Sequence, residues 1–131
     1  LLIGEYLMSV TILVVDDLAD MRSLLGLTLQ RAGWNIIEAT NGQEAFEVAL
    51  NQKPDLILMD YDMPGTNGLR SCEMLAGEPQ TADIPIIIYT GHSSAHVRED
   101  VLEAGARSFL LKPIPASQLR DEVRKLLSIE E

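Results

Sequence analysis

Asp16, Asp17, Asp60, Thr90 and Lys112 are the residues of this chain whose types and placement could do chemistry together. Each directly follows a short apolar run. Thr11-Ile12-Leu13-Val14-Val15 leads into Asp16-Asp17, and Leu56-Ile57-Leu58-Met59 leads into Asp60. Ile86-Ile87-Ile88-Tyr89 leads into Thr90, and Phe109-Leu110-Leu111 leads into Lys112. In an open parallel sheet, ligands bind at the carboxyl ends of the strands. If these runs are neighbouring strands, their polar ends converge on one spot. Three crowded carboxylates repel one another unless a cation lies between them. The set therefore reads as a site for a hard metal ion, with a hydroxyl and an ammonium close by.

The elements that must position these groups alternate along the chain. Apolar runs separated by helical patterns are the signature of βαβ units and a parallel sheet. The four runs are nearly continuous rather than alternating, so helices should cover both sheet faces. The mixed segment Trp34-Asn35-Ile36-Ile37-Glu38-Ala39 reads as a fifth strand nearer an edge. Met21, Leu24, Leu25, Thr28 and Leu29, spaced three and four apart, predict one buried helical stripe with Gly33 as terminator. Further helices are predicted from about 43 to 51, 68 to 77, Ser93 or Ser94 to near Gly105, and 116 to 127. The helix after Thr90 has a thin apolar stripe, so it should be the least firmly anchored. The last helix places Leu119, Val123, Leu126 and Leu127 on one face.

A chain of 131 residues fits one compact domain. Its formal net charge of −10 argues against direct nucleic-acid binding by this segment, because phosphate contacts need clustered Lys and Arg. The one cysteine, Cys72, permits no internal disulfide and reads as a small packing residue in a helix. That usage suits a reducing cytoplasm. The opening residues are apolar but too short to span a bilayer, and they lack the basic start of a signal peptide. Residues 1–9 read as an N-terminal extension or tag remnant, 10–128 as the domain, and 129–131 as a polar tail.

The acidic pair Asp16-Asp17, Asp60 with Met63-Pro64 and Gly68 behind it, Thr90-Gly91, and Lys112-Pro113 resemble the motifs of a response-regulator receiver domain of two-component signalling. The resemblance spans about Val10 to Leu127. Each motif alone is weak; together, in order and at strand ends, they are specific. It implies a flavodoxin-like (βα)5 three-layer sandwich with parallel strand order 2-1-3-4-5, one of the common orders of the doubly wound fold. It also implies that Asp60 accepts a phosphoryl group from a histidine kinase or a histidine phosphotransfer protein. Mg2+, with Mn2+ as a substitute, would be held by Asp16, Asp17, Asp60 and the backbone carbonyl of Asp62. Thr90 and Lys112 would bind phosphoryl oxygens. Pro113 would follow a cis peptide that aims Lys112 into the site. Thr90 and Phe109 would form a switch that alters the surface of the fourth helix, fifth strand and fifth helix. Such a domain is regulatory rather than an enzyme, catalysing only its own phosphorylation and slow dephosphorylation. Its downstream output protein or fused effector is not legible, and a phosphorylation-dependent dimer is one form the output could take.

Each residue also has a plainer reading. An isolated acidic pair is usually a helix cap or a pair of solvated acids, and an isolated strand-end threonine has no special role. Only their joint position at the strand ends overrides this. Asp62 adds negative charge beside the site or is merely exposed. Phe109 can be a core phenylalanine as well as a switch. His92 and His96 read as surface residues. Asp60-Tyr61-Asp62 also resembles the Asp-x-Asp motif of haloacid-dehalogenase-type phosphatases, but those normally have a longer chain, and the motif leaves Asp16-Asp17 unexplained. A pseudo-receiver, a binding module that never carries phosphate, usually lacks one of the key acids or the lysine. All are present here.

Overall fold

The computed structural model describes residues 9–91 and 93–128. The apolar opening residues 1–8, His92 and the polar tail 129–131 lie outside them. Five strands alternate with five helices: β1 (Thr11–Val15), α1 (Ala19–Gln30), β2 (Asn35–Ala39), α2 (Gly42–Gln52), β3 (Leu56–Asp60), α3 (Gly68–Gly77), β4 (Ile86–Thr90), α4 (Ala95–Glu103), β5 (Ser108–Leu111) and α5 (Ala116–Leu127). The strands form one parallel sheet in the order β2-β1-β3-β4-β5. β3 and β4 are buried at every position, which is why they read as unbroken apolar runs. β2 is the edge its mixed sequence suggests.

Successive strand residues point to opposite faces, and the sequence fills both. Ile12, Val14, Leu58, Ile87, Tyr89 and Leu110 pack against Leu25 and Leu29 of α1 and Leu119 and Val123 of α5. Leu13, Val15, Ile57, Met59, Ile86 and Ile88 pack against Ala45 and Ala49 of α2, Cys72 and Leu75 of α3, and Val101 of α4. These are the three layers, and the fold is flavodoxin-like. Asn41, Asn67 and Ser94 cap α2, α3 and α4, each accepting a backbone N–H in the first turn.

One expectation needs correction. The predicted stripe on α1 is narrower than its spacing implied. Leu25 and Leu29 are buried and Met21 and Thr28 partly so, but Leu24 is 60% exposed. Leu24 lies along the groove between α1 and α5, where α5 contributes only small or buried groups, Ala116 and Leu119. Gly33 does close the turn after α1: its φ is +97°, and its N–H donates to the Gln30 carbonyl at 2.9 Å. In α4 only Val101 is buried, in keeping with the thin stripe.

Candidate functional site

The strand ends bring the acids together. One carboxylate oxygen from each of Asp16, Asp17 and Asp60 lies within 4.8 Å of the others. Asp16 and Asp60 are buried and Asp17 is exposed.

Asp16 is held from several sides. Its N–H donates to the Ala39 carbonyl at 3.2 Å, and its own carbonyl accepts from Arg22 Nη1 at 2.7 Å. Arg22 is itself anchored by Glu38 at 2.9 Å. The Asp16 carboxylate accepts from the Leu18 N–H through Oδ1 at 2.8 Å, and from the Tyr89 hydroxyl through Oδ2 at 2.6 Å.

Asp60 ends β3. Its Oδ1 accepts from the Asp62 N–H at 3.2 Å and faces Lys112 Nζ at 3.2 Å. Among the described residues no hydrogen bond reaches its Oδ2. Burial pushes the Asp60 carboxyl above its ordinary range. The Asp62 N–H and the Lys112 ammonium draw it back, and the Asp16 charge pushes it up again. Gly68 lets α3 start directly over this strand end. A Cβ there would stand 2.7 Å from Tyr61 Cα and 2.9 Å from the Asp60 carbonyl oxygen.

Lys112 reaches the site from the end of β5. Its N–H donates to the Thr90 carbonyl at 2.8 Å, and the Lys112–Pro113 peptide is cis. Its ammonium also lies 5.0 Å from the centre of the Tyr89 ring. Thr90 is buried, and its hydroxyl donates to Asp62 Oδ2 at 3.1 Å. Asp62 is thus more than an exposed charge, since it engages the threonine at the end of β4. Phe109 is half-buried in β5 with the Arg98 guanidinium 6.0 Å from its ring centre. His96 is exposed on α4, apart from the acids. Cys72 is fully buried in α3, and burial raises its thiol to about 11.

The donor set decides which ion fits. Three carboxylate oxygens, with no histidine or cysteine in the cluster, are hard ligands suited to Mg2+ or Mn2+ rather than to zinc. A divalent ion would also neutralise charge beside the buried Asp60 and relieve the smaller repulsion from Asp16.

Sequence reasoning missed two contacts here. The Tyr89–Asp16 and Thr90–Asp62 hydrogen bonds join residues 73 and 28 positions apart. The one available signal was a tyrosine closing a run of isoleucines, because a buried phenol needs a partner.

Comparison with known proteins agrees with this geometry. The response regulator receiver domain family matches residues 12–124. The chain is 38% identical over 117 residues to the phosphate regulon transcriptional regulatory protein PhoB of Pseudomonas aeruginosa, covering 89% of this chain and 51% of that protein. It thus spans about half the length of that curated relative. The signal receiver domain of a signal transduction histidine kinase from Syntrophus aciditrophicus superimposes with a TM-score of 0.85 at 33% identity, covering 92% of this chain and 91% of that one. The receiver domain of a Pseudomonas aeruginosa sensor histidine kinase, solved with a magnesium ion coordinated in its active site cleft, gives 0.85 at 25% identity, covering 92% and 98%. The phosphatase reading of Asp60 and Asp62 finds no support among these proteins. With the sheet order, the acidic cluster and the match all pointing one way, the chain belongs to the response regulator receiver domain family of two-component signalling.

Proposed function

We propose that Asp60 is the phosphoacceptor of this receiver, taking a phosphoryl group from a histidine kinase or a histidine phosphotransfer protein. The observation that carries this reading is the pairing of a buried Asp60 with Lys112 at 3.2 Å inside a cluster of three carboxylates. Oδ1 of Asp60 is engaged by Lys112 and the Asp62 N–H, so Oδ2 is the oxygen that attacks phosphorus. The O–P bond forms as the donor's P–N bond breaks, and the electron pair of that bond stays on the imidazole nitrogen, which takes up a proton. Phosphoryl transfer depends on positioning and charge neutralisation more than on other help from the protein. Mg2+, or Mn2+ in its place, would supply charge neutralisation when bound. Asp16, Asp17, Asp60 and the Asp62 carbonyl would hold it. Lys112 pairs with one phosphoryl oxygen, and the Thr90 hydroxyl donates to another.

Thr90 provides the link to output. In the unmodified domain its hydroxyl bonds Asp62. A phosphoryl group adds roughly −1.5 to −2 charge and three acceptor oxygens, which compete for that hydroxyl. Thr90 then moves toward Asp60, the loop leading into α4 follows, and Phe109 turns inward from its half-buried place beneath Arg98. α4, held by Val101 alone among its buried residues, shifts with β5 and α5. Phenylalanine has no hydroxyl, so this switch runs on packing. Slow loss of phosphate by the domain itself resets it. Its phosphoryl donor, a histidine kinase or phosphotransfer protein of two-component signalling, places its work in the cytoplasm. Among the described residues no helix is long and apolar enough to cross a membrane. The effector that reads it is a fused domain or a separate partner.

The test is labelling with acetyl phosphate and MgCl2, read by intact mass. The parent gains one phosphoryl group and Asp60→Asn gains none while remaining folded. Undiminished labelling of Asp60→Asn removes Asp60 from the role.

A further inference from the structure

Tyr89 is the largest fully buried side chain among the described residues. It follows Ile86, Ile87 and Ile88, which show that β4 is built from aliphatic residues. An aliphatic residue at 89 would fill the same layer without a hydroxyl to bury, and a buried hydroxyl is costly unless it is bonded. The hydroxyl is bonded, and its partner is specific. It passes over β3, the strand between β4 and β1, to reach Asp16 Oδ2 at 2.6 Å, with the Val15 carbonyl at 3.4 Å. A distance that short is typical of a hydroxyl donating to an ionised carboxylate. Oδ1 of the same group is fixed by the Leu18 N–H at 2.8 Å. Each oxygen therefore holds one hydrogen bond and keeps lone-pair capacity for a cation. The ring of Tyr89 meanwhile packs 5.0 Å from Lys112 Nζ, so one side chain touches both charged sides of the site.

We propose that Tyr89 is a positioning residue for the cation site, its hydroxyl fixing the Asp16 carboxylate in the orientation that receives the divalent ion. This inference rests on the reading that Asp16 belongs to that site. Groups that orient a metal-binding side chain change metal affinity by roughly 10–100-fold when removed.

Tyr89→Phe keeps the ring and removes only the hydroxyl. MgCl2 titrations of the parent, Tyr89→Phe and Asp16→Asn, followed by calorimetry and by melting temperature, give the test. The expected result is a Mg2+ dissociation constant raised roughly tenfold or more in Tyr89→Phe. At saturating MgCl2 its labelling by acetyl phosphate returns toward the parent level. A purely structural hydroxyl would instead lower the melting temperature by the same amount at every MgCl2 concentration. That result, or a dissociation constant within twofold of the parent or tighter, overturns the proposal. If Asp16→Asn weakens Mg2+ and Tyr89→Phe does not, only the role of Tyr89 fails. If the parent binds no Mg2+, or Asp16→Asn binds as the parent does, the underlying reading of Asp16 fails with it.

Discussion

Replacing Asp60 by asparagine should stabilise the metal-free domain at neutral pH. Asp60 is only 2% exposed, and its carboxyl is held above its ordinary range chiefly by burial. At an effective dielectric constant near 20, a second carboxylate oxygen within 4.8 Å repels it by roughly 3.5 kcal/mol or somewhat more, and the Lys112 contact at 3.2 Å offsets this by roughly 5 kcal/mol. Exposed Asp17 adds a smaller repulsion, so the charge–charge effects nearly cancel and the cost of burying the charge decides the sign. Asparagine keeps the shape and removes that cost, and Lys112, one quarter exposed, turns to water rather than being left as a buried unpaired charge, so the net gain is about 1–2 kcal/mol. For a domain of this size that is roughly 3–6 °C in melting temperature. The pH dependence follows from the raised carboxyl. Below the ordinary aspartate value Asp60 is protonated whether folded or not, and the two proteins differ little. As pH climbs through the raised folded value the parent loses stability relative to the variant, and above it the full gap is present. Differential scanning calorimetry in EDTA from acid to neutral pH measures this. A variant less stable than the parent at neutral pH, or a gap that widens toward acid, would refute the reasoning.

Two further outcomes follow from the same geometry. Magnesium should raise the melting temperature of the parent by relieving the carboxylate repulsion, about 2.7 kcal/mol at a hundredfold excess over its dissociation constant. Asp17→Ala should shrink that increment in thermal melts, and an unchanged increment would exclude Asp17 from the site. Gly68→Ala forces a Cβ into the backbone of Asp60 and Tyr61, so chemical denaturation should show a loss of about 1–3 kcal/mol, and stability equal to the parent would contradict the packing.

Much of this was legible in the sequence because of where burial falls. β3 and β4 are covered on both faces, so their apolar runs are unbroken and the polar residues that end them stand out. The cap of α4 at Ser94, one of the two serines expected to start that helix, acts within one helical turn and is equally local. What periodicity could not supply was the width of the cover over α1. Leu24 fits the helical stripe as well as Leu25 does, yet only the latter is buried in the core with the sheet and α5, while Leu24 lies open along the groove. Nor could it supply contacts across strands. The bond from Tyr89 to Asp16 depends on β4 lying one strand away from β1, and the bond from Thr90 to Asp62 depends on how the loop after β3 folds back. Both pairs sit among charged groups, where a single hydrogen bond shapes the chemistry.

The central claim is that Asp16, Asp17 and Asp60 share one divalent cation beside Lys112. Crystals of the domain grown with MnCl2 and measured at the manganese absorption edge test it most directly. The account predicts one anomalous peak among these three carboxylates, in direct contact with at least two of them. A structure whose peak lies elsewhere, or whose three carboxylates remain without one at saturating MnCl2, would contradict it.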